Sequence, residues 1–180
     1  ALAYLGNRGG GSTITQQLAG QIYVGAKSRN PIARIKQKAK EYVISTQLER
    51  RYTKEEIIKM YLNIYDFGNN ADGIRSASRI YFGKEPSQLK IEESAMLVGM
   101  LQNSSLYNPL RRLERTQNKR NLVLRQLEKY EYISEKEKDS LQALDIDLNY
   151  NPESHRDGLA TYFRMYLQRF MNGWIAKNPK

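Results

Sequence analysis

Apolar positions along this chain recur at the spacing of helices, not of strands. Asn30 can cap a helix and Pro31 fits a first helical position. From Ile32 to Tyr52 the positions Ile35, Ala39, Tyr42, Val43 and Thr46 then share a stripe, so a long helix is predicted. Thr53 with Glu56 three residues on is the pattern of reciprocal capping, which restarts a helix whose apolar face is Ile57, Ile58, Tyr61 and Leu62. Asp66 to Asn70 (DFGNN) reads as a turn, Gly73 to Phe82 as a short helix and Gly83 as its stop. Ile91 to Gln102 carries Glu92 and Glu93 first, where acids suit a helix start, and then a nearly all-round apolar run that predicts a buried central helix. Thr116 to Tyr130 and Ser134 to Leu144 are two further helices, Asp145 to Pro152 reads as extended, and Asp157 to Trp174 is a last amphipathic helix rich in Tyr, Phe and Met. No alternating run of useful length predicts a strand, so the fold class is mainly α.

Composition narrows the chemistry. The chain has 180 residues, 40% hydrophobic and 10% aromatic, enough for a folded core. There is no Cys, hence no disulfide scaffold, thiolate metal site or thiol nucleophile, and the single His155 excludes a His-pair metal centre. No run of about 18 apolar residues is present to span a bilayer, and no signal peptide is visible. The chain opens in mid-pattern at Ala1 without an initiator Met, which leads to the expectation of a fragment of a longer protein.

The formal charge of +10 is unevenly placed. Residues 1–54 hold ten of the 29 basic residues and two of the 19 acidic ones, Glu41 and Glu49, while the rest of the chain is nearly balanced. A basic excess confined to one stretch points to an anionic partner there: nucleic acid, anionic lipid headgroups or a phosphorylated substrate. A merely solvated basic helix has the same composition.

Two segments in this stretch can carry chemistry. Gly9 to Leu18 sets three glycines before a dense run of hydroxyls and side-chain amides, including Ser12, Thr13, Gln16 and Gln17, which suits phosphate or sugar hydroxyls. It lacks the Gly-Lys-Ser/Thr ending of a nucleotide-binding loop, and a flexible loop closed by a Ser/Thr helix cap is the plainer alternative. Arg34, Lys38 and Glu41 fall on one helical stripe, where two cations keep a carboxylate ionised and can hold a diphosphate. An exposed ion-pair ladder worth only about 0.3–0.5 kcal/mol per pair has the same spacing. The Tyr61–Asn63, Asp66–Gly68 and Tyr81–Gly83 segments read as structural, and His155 as a surface or capping residue.

Taken in order, these segments closely resemble the peptidoglycan glycosyltransferase domain of bifunctional (class A) penicillin-binding proteins, glycosyltransferase family 51. GGSTITQQL at 10–18 resembles that family's second motif, KAKE at 38–41 its third, and KEEIIKMYLN at 54–63 with FG at 67–68 its fourth. GIRSASRIYFGK at 73–84 and EESAMLVGMLQNSSLYNP at 92–109 resemble the fifth and the region after it, and KRNLVLRQL at 119–127 keeps the family order. HRDGLATYFRMYLQRFM at 155–171 resembles a connector toward a transpeptidase domain, of the Bacteroidetes type.

The resemblance implies a lysozyme-like helical core with a small membrane-facing lobe, incomplete here, over residues 1–150, and a connector over 151–180. It implies polymerisation of lipid II into β-1,4-linked glycan strands by an inverting displacement that releases undecaprenyl diphosphate, at the periplasmic face of the inner membrane with the anchor outside this chain. It implies moenomycin-type inhibitors, the nascent glycan strand and the membrane surface as partners, and no nucleic acid. By the same resemblance Ser12, Thr13, Gln16 and Gln17 meet phosphate and sugar, Lys38 meets the diphosphate, and Glu41 orients that site and assists the leaving group. No cofactor is required for certain, although a divalent metal (Mg or Mn) at the diphosphate belongs to the expectation. Leu18 to Ala26 falls in the membrane-facing lobe, with disorder expected around residues 1–30.

This sequence also departs from the family pattern. The first motif, which carries the general base, has no match here, so the chain as it stands is expected to be inactive. Position 37 is Gln where Arg is common, with Arg34 or Lys36 reaching the same face instead, and position 20 is Gly where a Lys is common. Two other readings compete: a basic helical nucleic-acid-binding module, whose affinity falls steeply with salt, and a catalytically silent cell-wall scaffold.

Overall fold

A computed structural model describes residues 12–24, 30–152 and 161–177. The glycines 9–11, Lys27, Arg29 and His155 lie outside the described residues. Among the described residues eight α-helices follow one another: α1 (Ile14–Ala19), α2 (Pro31–Arg51), α3 (Lys54–Ile64), α4 (Gly73–Phe82), α5 (Ile91–Met100), α6 (Leu113–Lys129), α7 (Glu135–Ala143) and α8 (Thr161–Lys177). A π-helical turn, Gly20–Val24, extends α1, and a 3-10 turn, Pro86–Gln88, precedes α5. Among the described residues extended pairing is confined to one isolated bridge between Asp66 and Asp72, so the mainly α class holds.

Local capping explains most boundaries. The Asn30 side chain accepts from the backbone N–H of Ile32 and Ala33 ahead of Pro31. Thr53 with Glu56, and Ser134 with Glu137, form reciprocal capping boxes at the starts of α3 and α7. Each such cap is worth about 1 kcal/mol. The predicted turn after α3 is real: Gly68, Asn69 and Asn70 all have positive φ. Gly73 follows with φ +81° and donates its N–H to the Tyr65 carbonyl. A Cβ there would sit 2.4 Å from the Asn63 carbonyl oxygen, so this position accepts only glycine.

The chain divides into two compact units. The first runs to Asp66 and includes Asp72–Arg75; in it α1 packs on both α2 and α3. Its buried apolar residues are Leu18, Ala19, Leu48, Ile57 and Tyr61. Leu18 and Ala19, expected in a membrane-facing segment, are fully buried, whereas Ile22 and Tyr23 just after them are exposed.

The long helix α2 overturns a simple reading of its stripe. Ile32, Ile35, Tyr42 and Val43 face solvent, and the opposite stripe of Glu41, Ser45 and Leu48 is buried. Periodicity identifies a helix but not which stripe its neighbours cover. Here α1 covers the polar one, because Glu41 brings its own cationic partners with it.

The second unit holds Phe67–Ala71 and everything from Ser76. There α5 packs along α6, and α7 closes on both. As predicted, α5 is buried through Ala95, Met96, Leu97, Gly99 and Met100. The Tyr81 hydroxyl donates to the Phe67 carbonyl at 2.9 Å and accepts from Asn69, which pins the turn. Arg120 on α6 is 1% exposed. Its Nη2 donates to the carbonyls of Leu144 (2.7 Å) and Gln142 (3.2 Å), fastening the end of α7. Burial lowers the pKa of this guanidinium, against the pull of Glu92 and Asp145.

Candidate active site

The hydroxyl-and-amide segment is not a loose loop beyond Ser12; it is the start of a helix. Thr13 caps α1, its Oγ1 accepting from Gln16 N at 3.2 Å while Gln16 Oε1 accepts from Thr13 N at 3.3 Å. These two side chains therefore serve their own backbone, and the Thr13 hydroxyl hydrogen and the Gln16 amide N–H groups are what they can still donate.

Three residues of α2 form a charged group, and one of them, Lys38, meets this segment. Glu41 is 6% exposed and lies on the buried stripe. Its Oε2 accepts from Lys38 Nζ at 2.5 Å and its Oε1 from Arg34 Nη1 at 3.3 Å. A buried carboxylate is tolerable only when paired in this way. Lys38 Nζ also donates to Ser12 Oγ at 2.8 Å, joining two residues 26 positions apart in sequence. The cations themselves are open: the Lys38 side chain is 43% exposed and that of Arg34 29%. One carboxylate thus holds two cations in place and leaves a net positive charge facing outward.

Gln17 is oriented from the other side. Its Nε2 donates to the Ser12 carbonyl at 3.4 Å, and its Oε1 accepts from the Tyr61 hydroxyl of α3 at 2.9 Å. Burial pushes the Tyr61 phenol up to about 12, with Tyr65 adding to it, so Tyr61 remains a donor. Sequence reasoning placed Tyr61 only in a packing role. Nothing local ties it to Gln17, 44 residues away.

The two departures from the motif pattern meet at one oxygen. A Cβ at Gly20 would stand 3.4 Å from Glu41 Oε1, so the π-turn runs directly against the carboxylate. Arg34 reaches the same Oε1 and also bonds Gln37 Oε1 at 3.4 Å. Arg34 therefore sets a cation at this carboxylate although residue 37 is Gln. Lys36, the other expected substitute, is exposed and shares no hydrogen bond with this group. It lies two residues, about 200° of helical turn, from Arg34.

The donor set also bears on a metal. Among the described residues no group of three or more His, Asp or Glu side chains converges, and both Glu41 oxygens face cations. These residues do not fit a divalent ion of their own, because hard cations need several oxygen ligands.

Two cations held by one carboxylate, with a hydroxyl on one of them and an oriented amide on the same segment, are chemically suited to an anionic oxygen cluster. Residues 2–128 match the Transglycosylase family model, and the chain belongs to the transglycosylase family. Its relatives are penicillin-binding proteins. Penicillin-binding protein 2a of Streptococcus pneumoniae serotype 2 is 34% identical over 179 residues, 98% of this chain and 24% of that protein. Penicillin-binding protein 1A of Escherichia coli K12 is 34% identical over 142 residues, 79% of this chain and 16% of that one. The crystal structure of penicillin-binding protein 1A from Haemophilus influenzae superimposes with a TM-score of 0.52 at 27% identity, covering 74% of this chain and 19% of that chain. That match agrees with the expected lysozyme-like helical domain. The chain spans about a quarter or less of the length of these relatives. They do not bear out the Bacteroidetes-type likeness of residues 155–171.

Proposed function

We propose that this chain is the glycan-polymerising part of a peptidoglycan glycosyltransferase. Such an enzyme binds lipid II and the growing strand; the strand's anomeric carbon passes to the acceptor 4-hydroxyl as undecaprenyl diphosphate departs, and the hydroxyl proton goes to a general base, a role that no carboxylate of this chain matches, so the chain as it stands is expected to be inactive. The observation that carries this reading is Lys38, which bridges Ser12 and Glu41. A departing diphosphate gathers negative charge, and cations already fixed in place stabilise it without reorganisation. Lys38 and Arg34 supply those cations. Glu41 holds both in position, so its part in departure of the leaving group runs through them. Ser12 and Gln17 offer oriented polar groups to phosphate and sugar, and Thr13 and Gln16 add the donors their cap leaves over. A divalent ion at this diphosphate would have to be held by the substrate's own oxygens, since both Glu41 oxygens are engaged by Lys38 and Arg34.

The outward stripe of α2 supports a membrane surface as partner. Ile32, Ile35, Tyr42 and Val43 are exposed, with Lys36 and Lys40 exposed between them. Apolar contacts beside cations suit the headgroup boundary of an anionic bilayer. No helix among the described residues is long and apolar enough to cross a membrane. The exposed apolar and cationic stripe is what supports placing this part of the chain against the inner membrane, at its periplasmic face.

Binding of the chain to moenomycin, measured beside a duplex DNA of matched charge, tests this reading. We expect saturable moenomycin binding that survives moderate salt. Tight DNA binding that collapses with salt, with no moenomycin binding, overturns it in favour of the basic nucleic-acid module.

A further inference from the structure

The second unit carries a separate feature that the diphosphate site does not use. A groove of about 610 Å³ lies between the segment after α5 and one face of α6. Its apolar lining is Leu106, Tyr107 and Leu122, and Gln102 and Asn118 add two amides. Arg115, Lys119 and Arg125 supply three cations, and no carboxylate lines the groove. Among the described residues none of these three cations makes an ion pair.

The groove is also held in shape. Asn103 accepts from Leu106 N through its side chain (2.8 Å) and from Tyr107 N through its carbonyl (3.0 Å), which fixes the segment after α5. The Lys119 stem lies against Gly99 of α5, where a Cβ would come within 3.0 Å of its Cγ, and Lys119 Nζ stands 5.4 Å from the centroid of the Tyr107 ring. A ring, amides and unpaired cations on a fixed floor form a combined surface. Rings take the apolar faces of sugars, amides take hydroxyls, and cations take carboxylates.

We propose that this groove is a second, non-catalytic binding site for an acidic glycan, a sugar chain whose peptide substituents bear carboxylates. It deepens the proposed function, on which its choice of ligand rests: a polymerase that keeps hold of its product needs a contact for the strand beyond the reacting end. Arg115 and Arg125 take carboxylates, and Tyr107 with the two amides takes the sugar units.

The test is direct binding and involves no turnover, so its failure is distinct from failure of the polymerase reading. The chain is titrated with soluble, uncrosslinked peptidoglycan strands, with the same strands after amidation of their carboxylates, and with a single-stranded DNA oligonucleotide. Arg115→Gln/Arg125→Gln alters two exposed side chains, and circular dichroism checks that the fold is kept. We expect the acidic strand to bind, and the double variant and the amidated strand each to lower affinity about tenfold or more, as two charge-assisted hydrogen bonds are lost. The double variant is expected to leave moenomycin binding unchanged. Undiminished strand binding by the variant, equal affinity for the amidated strand, or DNA binding in the groove more tightly than the acidic glycan each overturns the proposal.

Discussion

Lys38→Met separates a structural brace from a ligand site. Methionine keeps most of the aliphatic stem and removes the ammonium. The structure implies a small stability cost. The Lys38 side chain is 43% exposed, and Glu41 keeps its second partner, Arg34, at 3.3 Å. A partly solvated ion pair of this kind is worth about 0.2–1 kcal/mol, so urea unfolding should shift by no more than about 1 kcal/mol. Ligand binding should respond far more. A charge-assisted hydrogen bond to a phosphate oxygen is worth about 1.5–3 kcal/mol, or roughly ten- to a hundredfold in affinity. Isothermal titration with moenomycin, alongside urea melts of the same samples, reads both quantities. A stability loss above about 3 kcal/mol with affinity changed only in proportion to unfolding would show Lys38 to be a brace. Unchanged affinity in a fully folded variant would remove Lys38 from the diphosphate site altogether.

Glu41→Gln should show the opposite balance. It leaves two cations converging on a neutral amide, and partial exposure of both keeps the destabilisation to about 1–3 kcal/mol in denaturant melts, below the figure for a fully buried pair. Tyr61→Phe removes the donor to Gln17 and should cost about 1 kcal/mol at neutral pH. Its pH signature follows from a phenol held at about 12 when folded against 10 when exposed. The folded state binds this proton more tightly, so Tyr61's contribution is complete below about pH 10 and fades as pH rises toward 12, by roughly 2–3 kcal/mol in all. The difference between wild-type and Tyr61→Phe stability should therefore shrink over that window and then reverse, the Phe variant becoming the more stable near pH 12, and a constant difference contradicts the assignment. Gly73→Ala meets the Asn63 carbonyl at 2.4 Å in a left-handed backbone and should lower thermal stability by about 2–4 kcal/mol, with refolding yield as a second readout.

The sequence alone determined what depends on neighbours a few residues away. Helix starts at Asn30, Thr53 and Ser134, the turn at Gly68–Asn70 and the stop at Gly83 follow from caps and backbone preferences acting within four residues. The stripe of Arg34, Lys38 and Glu41 was equally legible, because helical spacing brings those residues together whatever else packs nearby. Tertiary structure decided what that stripe faces. Lys38 finds Ser12 across 26 residues and Tyr61 finds Gln17 across 44, and no local interaction specifies either meeting. It also decided that α2 buries Glu41, Ser45 and Leu48 and presents Ile35, Tyr42 and Val43 outward. Amphipathic periodicity is symmetric between the two faces of a helix. Only the partners that arrive from elsewhere in the chain, α1 with Ser12 and Gly20 against the cations and Glu41, select the face that is buried.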